Sequence, residues 1–324
     1  VGGILQLAVQ LPTLRRTGFV FTPRLNLKDS GLIRILKLMI PATIGLSATQ
    51  INIFIGTRFA SSCVEGSVSW LNYAFRLVQL PIGLFGVAIS IAALPVLARY
   101  ASQNNYVEMK ETFISSLIMV FCLTIPATLG LIILSEPIIR IIFEHGAFTP
   151  QDTRATAVAL SCYAVGLFAY AANKVIVPVY YAINATRYPV IASFMAIITN
   201  VLIISLTIEA FQHKSIALST SATMIINFVF LMVVLYNKTG GYSVGLLAKG
   251  VVKIMVATLI MSAVLVVGNT YLQGFQIPSL LLQIFFLAIA IIGSAAIYSA
   301  MLHFLGIPEF TSLLIRLRQK FFPL

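Results

Sequence analysis

Charge is what this sequence has least of. Asp, Glu, Lys and Arg make up 9% of its 324 residues, where a soluble domain carries about 25%. That is too little charge to solvate a globule of this size. Carboxylates are rarer still, with nine Asp and Glu against 21 Lys and Arg. No two of them sit together inside an apolar run, so a protease-like dyad is excluded. The three histidines, His145, His213 and His303, are far apart. Glu144 and His145 are adjacent but fall in a connection between apolar runs. The cysteines Cys63, Cys122 and Cys162 are odd in number and lack CxxC spacing, which excludes a disulfide framework or a zinc site. There is no HExxH, and no cofactor-binding motif is read. An enzyme is not expected.

What is present is apolar length. Hydrophobic residues make up 59% of the chain, and the mean hydropathy is +1.00. A helix needs about 20 apolar residues to cross the hydrocarbon of a bilayer. Stretches 38–62, 68–96, 113–135, 155–183, 188–209, 215–237, 251–272 and 278–306 qualify as spans. Residues 1–12 read as the end of a further one, and with no basic flank they do not read as a signal peptide. The runs are too long, and lack the dyad alternation, for barrel strands. The expected fold class is all-α, a polytopic transmembrane helix bundle.

The net charge of +12 does not indicate nucleic acid, because the basic residues lie scattered between apolar runs. They mark topology instead. Arg15, Arg16, Arg24, Lys28, Arg34 and Lys37 crowd segment 13–37. Alternate connections add Arg99 and Lys110, then Arg187, then Lys238, Lys249 and Lys253, and the tail adds Arg316, Arg318 and Lys320. These define the cytoplasmic side. Glu65, Glu136, Glu144, Asp152 and Glu209 fall on the other side, with Arg140, Arg154 and Lys214.

Two cations belong to no connection. Arg76 lies about 13 Å of helix rise into its span, and no acid stands within a turn of it. Burying it there costs at least about 2.5–3.5 kcal/mol by insertion scales, which favours a wet cavity or a partner over plain lipid. Its planar fork suits a phosphate, although bonds to backbone carbonyls are the structural alternative. Lys174 lies equally deep, four residues before Pro178. That proline frees the carbonyl of Lys174 itself. The lysine either caps nearby carbonyls or forms a second cationic wall of a cavity. Arg58, near a helix end, snorkels. Pro41, Pro81, Pro126 and Pro178 interrupt spans, as ordinary kinks or as hinges. Gln50, Asn52, Thr57, Asn200, Ser219, Thr220 and Asn227 are polar at depth and read as bonds between helices.

These stretches together resemble one family. They include Gly2-Gly3 through Gln10-Leu-Pro12, Pro41-Ala, Gln50-Ile-Asn52, and Gly66-Ser-Val-Ser-Trp70 running into Tyr73-Ala-Phe-Arg76-Leu. Pro81-Ile-Gly-Leu-Phe-Gly-Val-Ala88, Phe143-Glu-His-Gly-Ala-Phe-Thr149 and Tyr181-Ala-Ile-Asn-Ala-Thr-Arg-Tyr-Pro-Val190 complete the set. Over about residues 1–235 the chain is similar to the MurJ/MviN lipid II flippases of the multidrug/oligosaccharidyl-lipid/polysaccharide exporter superfamily. The last two spans match in position and length more than in residues.

The resemblance implies two six-helix lobes followed by two extra helices. On that register residues 1–12 are the end of helix six, and 13–37 are a basic cytoplasmic linker. Residues 38–237 are the second lobe, 238–250 a cytoplasmic loop, 251–306 the extra pair and 307–324 a basic tail, with most of the first lobe absent. It implies a multi-pass protein of the bacterial inner membrane that carries lipid II by alternating access, with membrane lipids and the first lobe as partners. Arg76 falls on a cavity arginine that takes the pyrophosphate or sugar head group, with Ser69 and Gln79 beside it and Lys174 as a further candidate. Phe75 replaces an Asp found in many members. Asn200 and Thr220 fall near two ligands of a sodium site described for some members. A hard cation takes several oxygens, usually with a carboxylate, and Gly56 and Ile204 stand where Asp is expected, so sodium is not expected here. A multidrug or polysaccharide exporter of the same superfamily, or a non-transporting membrane scaffold, are the alternatives.

Overall fold

The computed structural model describes residues 2–18, 29–274 and 279–311, without some side chains of 2–49 and those of 271–274. Arg24, Lys28, Arg316, Arg318 and Lys320 lie outside this description. The chain divides into two units, Val1–Thr43 and Ile44–Leu324. Every regular element described is helical. These are α1 (Gly2–Arg16), α2 (Ser30–Ala60), α3 (Ser67–Pro81), a π-helical stretch Ile82–Val87, α4 (Ala88–Ser102), α5 (Tyr106–Ile133), α6 (Ser135–Phe143), α7 (Pro150–Val165), α8 (Leu167–Ala182), α9 (Arg187–Phe211), α10 (His213–Lys238), α11 (Val244–Gly274) and α12 (Leu280–Phe304).

Six helical runs among the described residues are long and apolar enough to cross a membrane, the first being Ser67–Ser102. A seventh candidate is α7 with α8, bent by 43° at their junction. These coincide with seven of the eight expected spans. The remaining stretch, 38–62, falls mostly in α2, many of whose side chains lie outside the description.

The apolar runs tolerate breaks because other helices satisfy the backbone groups that the breaks release. Pro126 cannot donate to the carbonyl of Cys122, four residues back, and Tyr298 of α12 donates its hydroxyl to that oxygen at 2.7 Å. Pro178 does the same to Lys174, and Ser90 of α4 fills the gap at 2.6 Å. At the α7–α8 bend, Ser221 of α10 donates to the Cys162 carbonyl at 2.6 Å and accepts from the Gly166 amide at 3.2 Å. A Cβ on Gly166 would stand 2.6 Å from the Ser221 Cα, so only glycine lets α10 approach this closely.

One end of the second unit is locked by polar contacts. Thr149 and Asp152 form a capping box at the start of α7. Trp70 of α3 donates its indole N–H to Asp152 Oδ1 at 2.7 Å, and its ring meets His213 of α10 edge-on at 5.1 Å. The Phe143–Thr149 stretch therefore serves as a clasp: Phe143 and Phe148 pack on Tyr73, and Thr153 donates to Glu144 at 2.6 Å. At the opposite end Lys110 donates to the Gly241 carbonyl at 2.7 Å.

Candidate functional site

The site begins with the two faces of α3. Trp70, Leu71, Ala74 and Val78 are buried in the bundle. Ser69, Asn72, Arg76 and Gln79 follow at spacings of three, four and three, which places them on one face of a helix. That polar face turns toward a cavity of about 430 Å³. The end of α2 supplies Asn52, Gly56 and Thr57 to its wall, α9 supplies Ser193 and Asn200, and α10 supplies Thr220, Met224 and Asn227. Tyr163 of α7 and Tyr170 of α8 complete it.

Among the predicted residues, the cavity gathers Arg76, Gln79, Asn200 and Thr220. Ser69 is exposed on the same face of α3, one turn before Asn72, and is not part of the wall. Lys174 does not line the cavity either; its Nζ lies 5.9 Å from the centroid of the Tyr170 ring, which does. Of the two readings of Lys174, a cap on nearby carbonyls or a second cationic wall, the structure places the lysine behind an aromatic wall residue and not on the wall itself. Arg76 is the single formal charge on the wall, and it has no hydrogen-bond or ion-pair partner among the described residues. Phe75, next to it, packs on Tyr163 at 5.3 Å and Tyr170 at 6.3 Å instead of offering a counter-charge.

Asn72, Tyr163, Tyr170 and Ser193 are wall residues that sequence reasoning did not single out. The spacing 69, 72, 76, 79 is the signal that could have found Asn72. Asn200 and Asn52 do bond between helices as expected, amide nitrogen to amide oxygen at 2.7 Å. Thr57, Ser219 and Thr220 instead donate to carbonyls of their own helices. The Oδ1 atoms of Asn200 and Asn227 are buried without a partner. Each such oxygen costs about 1–3 kcal/mol when left unpaired.

The wall does not fit a sodium ion. Its lining residues include no carboxylate, and Gly56 brings no oxygen ligand from a side chain. Ile204, at the other position where an Asp was sought, is fully buried. Among the described residues no cluster of His, Cys, Asp or Glu could hold a metal ion.

A bundle of long apolar helices, broken at prolines and glycines and holding a cavity with one cation on its wall, has the architecture of a polytopic membrane protein. The fold matches an outward-facing multidrug transporter of the MATE family, with a TM-score of 0.57 over 82% of this chain and 63% of that one, at 15% identity. It matches a lipid II flippase MurJ in an inward closed conformation more closely, with a TM-score of 0.66 and 29% identity over 86% of this chain and 57% of that one. The sequence profile of the family described as "Lipid II flippase MurJ" matches residues 1–287, and the chain belongs to that family. A probable lipid II flippase MurJ of Buchnera aphidicola (from Acyrthosiphon pisum) is 32% identical over 95% of this chain and 60% of its own length. One of Vibrio cholerae is 35% identical over 71% of this chain and 44% of its own. The chain thus spans less than two thirds of these relatives. The family is one of multi-pass inner-membrane transporters rather than enzymes.

Proposed function

We propose that this chain forms the second lobe and the two C-terminal helices of a flippase that moves lipid II across the cytoplasmic membrane by alternating access. The observation that carries this reading is Arg76, a guanidinium on a cavity wall with no protein counter-charge. A diphosphate supplies two negative groups that match its donor fork. Gln79 and Asn72 flank it on the same helix face and extend the polar contact along the head group. The undecaprenyl tail stays in lipid, along the apolar surfaces of α11 and α12, where Phe285 is exposed.

The orientation that goes with this reading puts the Trp70–Asp152 clasp outside the cell and Lys110, Arg187 and Lys238 inside. Residues 38–237 form the lobe, 251–306 the added pair, and 13–37 the linker from a preceding helix. Ser69 then guides the head group at the outer rim, and Lys174 supports the Tyr170 wall.

The test is head-group exposure of lipid II in cells, at matched protein levels, in a full-length flippase carrying this sequence. Arg76→Ala abolishes exposure while the protein still inserts. Arg76→Lys retains part of it, since a point charge replaces a fork. Transport by Arg76→Ala at the parental level contradicts the reading.

A further inference from the structure

The inner edge of α2 is almost bare of side chains. Ala48, Asn52, Gly56 and Ala60 follow one another at intervals of four, so they share one face of the helix. Ala48 and Ala60 are buried, and a Cβ on Gly56 would meet Ile216 of α10 in ordinary contact at 3.7 Å. The larger residues around Asn52 point away from the bundle: Ile51, Ile53 and Phe54 are exposed, Phe54 by 71%. Small residues let helices approach closely but bring little contact area of their own. Asn52 is the polar member of this edge. Its Oδ1 accepts from the amide nitrogen of Asn200 on α9 at 2.7 Å, and among the described residues this is the one hydrogen bond that joins α2 to another helix. Asn200 is 2% exposed, so water does not compete for the bond.

A sodium ion shared by α2, α9 and α10 would tie these helices by taking oxygens from each. This chain has Gly56 and Ile204 at the two positions where carboxylates were sought, and Ile204 and Ile216 belong to one apolar core with Ala60 and Leu71. Methyl groups thus stand where a hard cation needs oxygens. We infer that the Asn52–Asn200 bond is the tether of α2 and does without an ion what a shared cation would do. The two asparagines are then a positioning pair for transport. Parting α2 from α9 breaks one hydrogen bond and little packing, and no sodium is taken up or given off when the bond opens or closes. The inference concerns how the transporter moves and does not depend on its cargo.

The experiment measures distances between spin labels by pulsed electron resonance, in a full-length flippase carrying this sequence, purified into nanodiscs with its native cysteines replaced. The labels sit at Phe54→Cys on α2 and Ile198→Cys on α9, both exposed positions. In the parent one distance dominates, and the distribution is the same in sodium chloride and in choline chloride of equal ionic strength. Asn52→Leu and Asn200→Leu each raise the population in which α2 lies farther from α9 by about fivefold in both salts, the worth of one hydrogen bond. The double variant goes no further than either single one, because both remove the same bond. Asn52→Asp keeps the acceptor oxygen and keeps the parental distribution in choline, a rescue that a residue needed for packing alone would not separate from Asn52→Leu. Asn52→Leu, at the less buried partner, decides the outcome if Asn200→Leu does not insert. A parental distribution that shifts when sodium replaces choline overturns the ion-free tether. Parental distances in Asn52→Leu, or a double variant that adds the two single effects, overturn the pairing of the two asparagines and the inference with it.

Discussion

Tyr298 is a residue whose role depends on another residue's defect. Pro126 leaves the Cys122 carbonyl of α5 without its helical donor, and the Tyr298 hydroxyl replaces that donor from α12. The side chain is 6% exposed, so water does not compete. Tyr298→Phe keeps the ring and strands the carbonyl, at a cost of about 1–3 kcal/mol. The expected outcome is a lower melting temperature in detergent with unchanged helicity; an unchanged melting temperature would mean that α5 satisfies itself at the proline. At this same scale the sequence was readable in parts. Arg76 stood out because a charge in an apolar run has few explanations. The release of the Lys174 carbonyl by Pro178 was also readable, since that follows from helix geometry alone. Its acceptor role toward Ser90, 84 positions away, was not. Nor was the contribution of Tyr163 and Tyr170 to the cavity, because an aromatic in a membrane helix looks the same whether it faces lipid, core or cavity.

Among elements, α3 decides the geometry of the site. Its inner face is fixed by the Trp70 bond to Asp152, and the ring also covers Gly66, whose φ of +92° admits glycine readily. With that face fixed, rotation of α3 about its axis is blocked and Arg76 stays on the cavity side. Helix existence was legible from apolar length, whereas the bend between α7 and α8 was not, since residues 155–183 read as one run. Their break depends on how closely Ser221 approaches Gly166, a tertiary fact. The orientation proposed from the charge pattern of the connections is checked by labelling. In a background with all three cysteines replaced, Ala147→Cys is expected to react with a membrane-impermeant maleimide in whole cells and Gln103→Cys only after lysis. Both positions are exposed. Replacing Cys63 changes little in that assay, because burial raises its thiol pKa and Sγ donates to the Phe59 carbonyl at 3.5 Å. Labelling of position 103 and not 147 in intact cells would invert the topology.

For the molecule as a whole, the claim is that the polar face of α3 meets a lipid-linked head group while the outer faces of the bundle meet only lipid. The chain belongs to the lipid II flippase MurJ family, but shared folds host unrelated cargoes, so the cargo has to be read at the wall. A photoreactive amino acid placed at Asn72, on the cavity face, is compared with one at Leu206, which is 83% exposed on α9. In a full-length flippase of this sequence, irradiated in cells whose murein precursors are radiolabelled, the account predicts a precursor adduct at position 72 and none at position 206. Equal adducts at both positions, or none at 72 with the protein inserted and abundant, would contradict it.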